Sequence, residues 1–384
     1  MRWDNLRIDS TPGNDADGRP HDQAAGGTPV GGTLPLIERN AVVRTFDTPG
    51  FRGMTFYEVQ AKSIVSKVPA SSKVPFSHTI NPYRGCQHAC AYCFARNTHT
   101  YLDLDAGQDF NSKVIVKVNA PELLRAKLSS RGWAGEHIAM GTNVDCYQRA
   151  EGRYDLMRGI IAALRDAHNP FSILTKGTLI LRDLDLLLES AEVTDVGLNV
   201  SAGFVDRDLW RAIEPGTPAP QRRLDACAAL NDAGLRCGVL MGPVVPYLCD
   251  SPAQLEAAVR QAAAAGAAHV TPIVLHLRPG AREWFLGWLR EAHPALVPRY
   301  TELYGRGAYA RKDYQARITA EVRELADRYG IGRGRGVRGE RVAPRRPGGG
   351  RWPEGVGAGA GTQTSSAGTP DGGAAAAREQ LSLF

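Results

Sequence analysis

A chain of 384 residues with 43% hydrophobic content can bury the core of one large domain or two modest ones. No 18-residue apolar run occurs, and Met1-Arg2-Trp3-Asp4 leads into acids and glycines. This argues against a membrane span and a secretory leader and predicts a cytoplasmic protein. Seven cysteines, an odd number with three clustered, speak against a disulfide framework and for a reducing compartment. The net charge of +6 is uneven: from residue 331 onward eight arginines face four acids, so the body is near neutral and its charge alone does not mark it as a nucleic-acid binder.

In chain order, residues 1–35 are rich in Gly, Pro, Asp and Thr and are expected to be disordered. Residues 36–71 regain apolar content (Val42, Val43, Phe46, Phe51, Phe56, Val59) and read as an N-terminal extension packing on a core domain of residues 72–330. In that core, short β-branched runs alternate with helical patterns. The runs are 78–81, 114–118, 138–141, 171–175, 196–200, 238–241 and 270–275, and they lack strict alternation, as strands buried on both faces should. Helices are expected over 121–130, 153–167, 183–190, 220–233, 252–265, 281–292 and 316–329. Asp183 stands as an N-cap, Gly234 and Gly266 as C-terminal stops, and Leu224, Cys227 and Leu230 mark an inward face. Repeats of about 30 residues predict an α/β fold, a partial (β/α)6-type TIM barrel with function at the C-terminal ends of its strands. Residues 331–384 form a Gly/Arg/Ala-rich tail of low complexity.

The most informative stretch is Asn81-Pro82-Tyr83-Arg84-Gly85-Cys86-Gln87-His88-Ala89-Cys90-Ala91-Tyr92-Cys93. Cys86, Cys90 and Cys93 stand in a C-x3-C-x2-C spacing that can hold three corners of a [4Fe–4S] cluster and leave one iron open. A zinc knuckle would want a second ligand pair, which does not follow; His88 reads as a surface histidine. The spacing, with Tyr92 before the third cysteine, resembles the radical S-adenosylmethionine (radical SAM) superfamily. The resemblance implies that the open iron takes the amine and carboxylate of S-adenosylmethionine, and that reductive cleavage gives a 5′-deoxyadenosyl radical that abstracts hydrogen from a substrate. It implies a lyase or transferase type of enzyme, with an external electron donor such as flavodoxin or ferredoxin.

Further elements extend the resemblance over residues 40–330, to the branch near spore photoproduct lyase and to an actinobacterial set of radical SAM proteins. They are Gly141-Thr142-Asn143, Ile173-Leu174-Thr175-Lys176-Gly177, Glu214-Pro215-Gly216-Thr217-Pro218 and His276-Leu277-Arg278-Pro279-Gly280. On this analogy Tyr92, Gly141, Thr142, Asn143, Lys176 and Ser201 belong to the S-adenosylmethionine site. Taken singly, Asn143 reads equally as a turn residue, Lys176 as a solvent-facing cation and Ser201 as an N-cap. The lyase returns hydrogen to its product from a cysteine at a position that reads Gly141 here. Cys146, beside Tyr147, is a candidate donor or relay five residues on, and reads equally as a small core hydrophobe. Cys227 and Cys237 read as core, Cys249 as a loop thiol.

The terminal Gln380-Leu381-Ser382-Leu383-Phe384 resembles the peptide by which bacterial repair and replication proteins dock on the sliding clamp, with Leu381, Leu383 and Phe384 apolar and Gln380 setting register. The reading is photolyase-like DNA repair, with nucleoid association through the clamp. A small-molecule, RNA or protein substrate, and a clamp-associated iron–sulfur protein without catalysis, remain as alternatives.

Overall fold

The computed structural model describes Leu6–Arg7, residues 41–69, residue 72 and residues 74–331. Its strands are β1 (Leu6–Arg7), β2 (Val42–Arg44), β3 (Thr55–Ala61), β4 (Val65–Lys67), β5 (His78–Ile80), β6 (Tyr83–Arg84), β7 (Lys113–Lys117), β8 (Ile138–Met140), β9 (Phe171–Thr175), β10 (Val196–Ser201), β11 (Cys237–Val244) and β12 (Val270–Val274). Six of them, β5 and β8 to β12, lie side by side and parallel, and β4 closes one edge antiparallel to β5. This is the parallel run of a partial barrel. Ile138, Ala139 and Met140 are all buried, as a strand covered on both faces requires.

One expected barrel strand is elsewhere. β7 joins a second sheet, parallel to β3 and antiparallel to β6, with β1 and β2 also on β3. The N-terminal residues therefore supply β3 as partner to a strand of the core. The apolar run of β7 resembles a barrel strand because both sheets bury its valines; only pairing tells them apart. β1 lies inside the stretch expected to be disordered: two extended residues take up the free hydrogen-bonding edge of β3. Residues 1–5 and 8–35, and all of the tail from 332, lie outside the described residues.

The helices are α1 (Gln108–Ser112), α2 (Ala120–Leu128), α3 (Glu151–Tyr154), α4 (Leu156–Asp166), α5 (Leu184–Val193), α6 (Arg207–Ile213), α7 (Pro220–Asp232), α8 (Pro252–Ala264), α9 (Ala281–Ala292), α10 (Val297–Tyr304) and α11 (Lys312–Arg328). α2 packs on α4 and α4 on α5, while α11 covers α8 and β12. Gly234 and Gly266 stop α7 and α8 at φ +93° and +66°, and the inward face of α7 is buried at Leu224, Cys227 and Leu230, as expected.

The single helix expected over 153–167 is two. Asp155 sits at φ +52°, and the buried Glu151 carboxylate turns back to accept from the N–H groups of Leu156 (3.2 Å) and Met157 (3.0 Å), capping a new helix. Asp183 precedes α5 but does not cap it: its carboxylate is taken by Arg182 and by the Tyr147 hydroxyl. α6 is not among the expected helices, although its cap is legible, Asp206 accepting from Asp208 N (2.9 Å) and Leu209 N (2.7 Å). Among the described residues no helix is long and apolar enough to cross a membrane.

Candidate active site

The loop after β6 carries the three cysteines, and backbone bonds fix it. Gly85 turns it at φ +83°, where a Cβ would lie 2.5 Å from the Lys113 carbonyl oxygen. Cys86 N donates to Phe110 O (3.0 Å) and Cys93 N to Cys90 O (3.3 Å). Gln148 grips the loop twice, accepting from Gln87 N and donating to Gly85 O, each at 3.0 Å. The turn after α6 grips it from the other side: Ala91 N donates to Ile213 O (2.9 Å) and Gly216 N to His88 O (3.1 Å). A Cβ on Gly216 would overlap the Gln87 carbonyl, so only glycine allows this approach.

His88, expected at the surface, is buried in that interface with Nδ1 3.4 Å from Asp145 Oδ2. Burial holds its pKa down to about 4, so it is neutral at pH 7. Cys249, expected as a loop thiol, is buried and accepts from Val245 N at 3.0 Å; Cys227 and Cys237 are core.

Beside the cysteine loop, β9 and β10 end in a connected polar set. Lys176 Nζ donates to Ser201 Oγ at 2.8 Å, lies 4.0 Å from Glu214 and sits 5.8 Å from the Tyr92 ring centre. Ser201 Oγ in turn donates to Gly242 O (2.9 Å), so it bridges strands and is not a helix cap. The centre of the set is Glu214, fully buried, accepting from the Tyr92 hydroxyl and from Arg223. Arg223 and Lys176 hold its carboxyl below the usual range against the upward push of burial. In the sequence Glu214 is a motif element without a role; an acid amid apolar neighbours shows its partners only after folding.

At the ends of β5 and β8 lies a cavity of about 160 Å³, walled by Asn81, Phe94, Tyr101, Thr142, Asn143 and Arg278 among others. Arg278 stands over the Phe94 ring at 5.3 Å. Asp145 ties this wall to β9, accepting from Thr175 Oγ1 and Lys176 N, both at 2.6 Å. Gly141 starts the wall at φ +74°, where any Cβ would overlap the Leu174 carbonyl oxygen, so a cysteine could not stand there without moving β9. Cys146 and Tyr147 are not brought to the cavity. Both are buried in the core, the Tyr147 hydroxyl donates to Asp183 (2.9 Å), and burial raises both pKa values far above their ordinary range.

Residues 80–255 match the Radical SAM superfamily. An uncharacterised protein of Mycobacterium tuberculosis is 49% identical over 307 residues, covering 80% of this chain and 90% of that one. One of Methanocaldococcus jannaschii is 32% identical over 195 residues, half of this chain and 71% of that one. Spore photoproduct lyase complexed with dinucleoside spore photoproduct superposes with a TM-score of 0.55 at 16% identity, over 72% of this chain and 80% of that one; at this identity the likeness is one of fold. This chain belongs to the radical SAM superfamily.

It is a radical SAM enzyme, and its cofactors are a [4Fe–4S] cluster and S-adenosylmethionine. The residues present fit the cluster. The three thiols are free and share one fixed loop. A cubane takes each of the three thiolates on a different iron, which suits three cysteines on one loop. Burial pushes the Cys86 thiol well above its ordinary value and Cys90 up to about 12; iron binding would displace these protons. Gln87, within the loop, has both amide atoms buried without a partner, as expected beside a group that belongs there.

Proposed function

We propose that this radical SAM enzyme abstracts hydrogen from a damaged or modified nucleotide of DNA. The observation that carries the reading is the cavity at the ends of β5 and β8, walled on one side by the segment that follows the cysteine loop (Phe94, Asn97, Tyr101). Amide and hydroxyl groups (Asn81, Thr142, Asn143) suit a nucleoside, aromatic walls (Phe94, Tyr101) suit a base, and Arg278 suits a phosphate. Cys86, Cys90 and Cys93 would hold the cluster. Lys176, Ser201 and Asn143 would hold S-adenosylmethionine through its carboxylate and ribose, with Tyr92 and Gly141–Thr142 shaping the approach. When bound, the reduced cluster and S-adenosylmethionine supply a 5′-deoxyadenosyl radical.

The chain's own work is positioning and exclusion of water. The Glu214 network holds Lys176 and Tyr92 at fixed places, and the wall at Thr142–Asn143 would be shared by cosubstrate and substrate, so that hydrogen transfer need not cross solvent. The likeness of fold to a lyase complexed with a dinucleoside photoproduct supports this substrate class by analogy. An external flavodoxin or ferredoxin would deliver the electron. Gln380, Leu381, Leu383 and Phe384, which lie outside the described residues, would dock the enzyme on the sliding clamp.

The test is anaerobic reconstitution with S-adenosylmethionine, a reductant, and ultraviolet-damaged or alkylated duplex. The expected outcome is 5′-deoxyadenosine formed in a DNA-dependent manner together with an altered nucleotide. Release that is the same with and without every DNA tried would remove DNA as the substrate.

A further inference from the structure

Arg96 is fully buried, three residues past Cys93, and its surroundings lack what a buried guanidinium needs. Its five donors go to neutral oxygens: Cys90 O (3.0 and 3.2 Å), Ala89 O (3.3 Å), Ala106 O (3.1 Å), Gly107 O (3.0 Å) and Asn111 Oδ1 (2.9 Å). Trp284 and Phe110 pack on it at 4.5 and 5.2 Å. Trp284 comes so close to Gly107 that a Cβ there would overlap its ring. Asp105 accepts from the N–H groups of Gly107 and Asp109 and forms no ion pair with Arg96; its charge acts on the guanidinium more weakly than those of the three cysteines. Two other cations near the cysteines, Lys176 and Arg223, have Glu214; Arg96 forms no ion pair with a carboxylate among the described residues. A buried cation without a directly paired anion is costly, so an anion belongs beside it. The charges that act on it most strongly are those of Cys93, Cys90 and Cys86.

We infer that Arg96 is the counter-cation of the iron–sulfur cluster, a positioning residue that locks the cysteine loop through the Ala89 and Cys90 carbonyls and raises the cluster's reduction potential. The oxidised cube on three thiolates carries net negative charge, and reduction adds one more. A fixed cation in a low-dielectric site stabilises the reduced form more.

This rests on the cluster being carried by Cys86, Cys90 and Cys93. The experiment therefore begins with iron content and the electron paramagnetic resonance signal of reconstituted full-length wild type and Cys93→Ala. A wild type that loads no cluster, or a Cys93→Ala that loads it fully, sinks the cluster assignment itself. Given a loaded wild type, redox titration of Arg96→Gln is expected to give a more negative midpoint, and Arg96→Lys a midpoint near wild type with lower loading. Arg96→Gln at the wild-type midpoint, or Arg96→Lys displaced as far as Arg96→Gln, overturns the inference. Should Arg96→Gln fail to load, Arg96→Lys decides: a midpoint near wild type supports the inference, and one displaced to more negative potential overturns it.

Discussion

At the scale of the residue, the site depends on side chains whose partners lie far away in sequence. Glu214 is the clearest case, since one buried carboxylate faces Tyr92, Arg223 and Lys176. Removing its charge leaves two cations and a hydroxyl under-satisfied, a cost of about 3 kcal/mol or more. Glu214→Gln is expected to lower the melting temperature and to weaken S-adenosylmethionine binding, read by calorimetry on the reconstituted protein. A variant with wild-type affinity would show that Lys176 does not depend on it. Gly141 makes a second, purely steric prediction. Gly141→Ala combines φ +74° with overlap on Leu174 O, so a loss of roughly 2–4 kcal/mol in denaturant unfolding is expected. Arg278, which stands over Phe94 at the cavity, carries the substrate reading. Arg278→Ala is expected to raise KM for DNA by roughly 10- to 100-fold while leaving S-adenosylmethionine affinity unchanged, the worth of one charge-assisted contact.

At the scale of the element, the second sheet ties the strands β1 to β3 to the cysteine loop. β3 pairs with β7, β7 with β6, and β6 leads directly into Gly85 and Cys86. Val114 and Val116 of β7 are fully buried. Deleting residues 1–61 would bare that strand's edge and apolar face, and such edges recruit other chains. The expected result is aggregation on size-exclusion chromatography and failure to load the cluster. A monomeric, loaded truncation would show that the extension is dispensable. Among the elements, the strands β5 and β8 to β12 and most of the helices are readable from period and composition. The break at Asp155 is not, because Glu151 caps α4 from outside it and a continuous helical pattern conceals a left-handed residue.

At the scale of the whole molecule, folding buries histidines that bear on its acid response. His99 and His137 are nearly inaccessible, and burial lowers each pKa from 6.5 to about 4. The folded-state value lies below the unfolded one, so the unfolded chain binds the proton first. Stability is full above pH 6.5 and falls as the pH drops from 6.5 towards 4, by up to about 3 kcal/mol for each histidine. Denaturant midpoints measured from pH 7.5 to 4.5 are expected to decline; a flat profile would show that these histidines protonate in place.

The sequence by itself determined the chemistry. Three cysteines in a fixed spacing on a short loop are a local pattern, and local patterns survive without knowledge of the fold; the strand–helix alternation that predicts the barrel is local as well. Tertiary structure decided what surrounds that pattern. It moved β7 from the barrel to the second sheet, and buried His88 and Cys146. It brought Glu214 to Tyr92, and Arg96 to the backbone of the cysteine loop. Each of these is a matter of burial or of long-range pairing, and a linear sequence states neither where a side chain points nor which charge it meets when water is excluded.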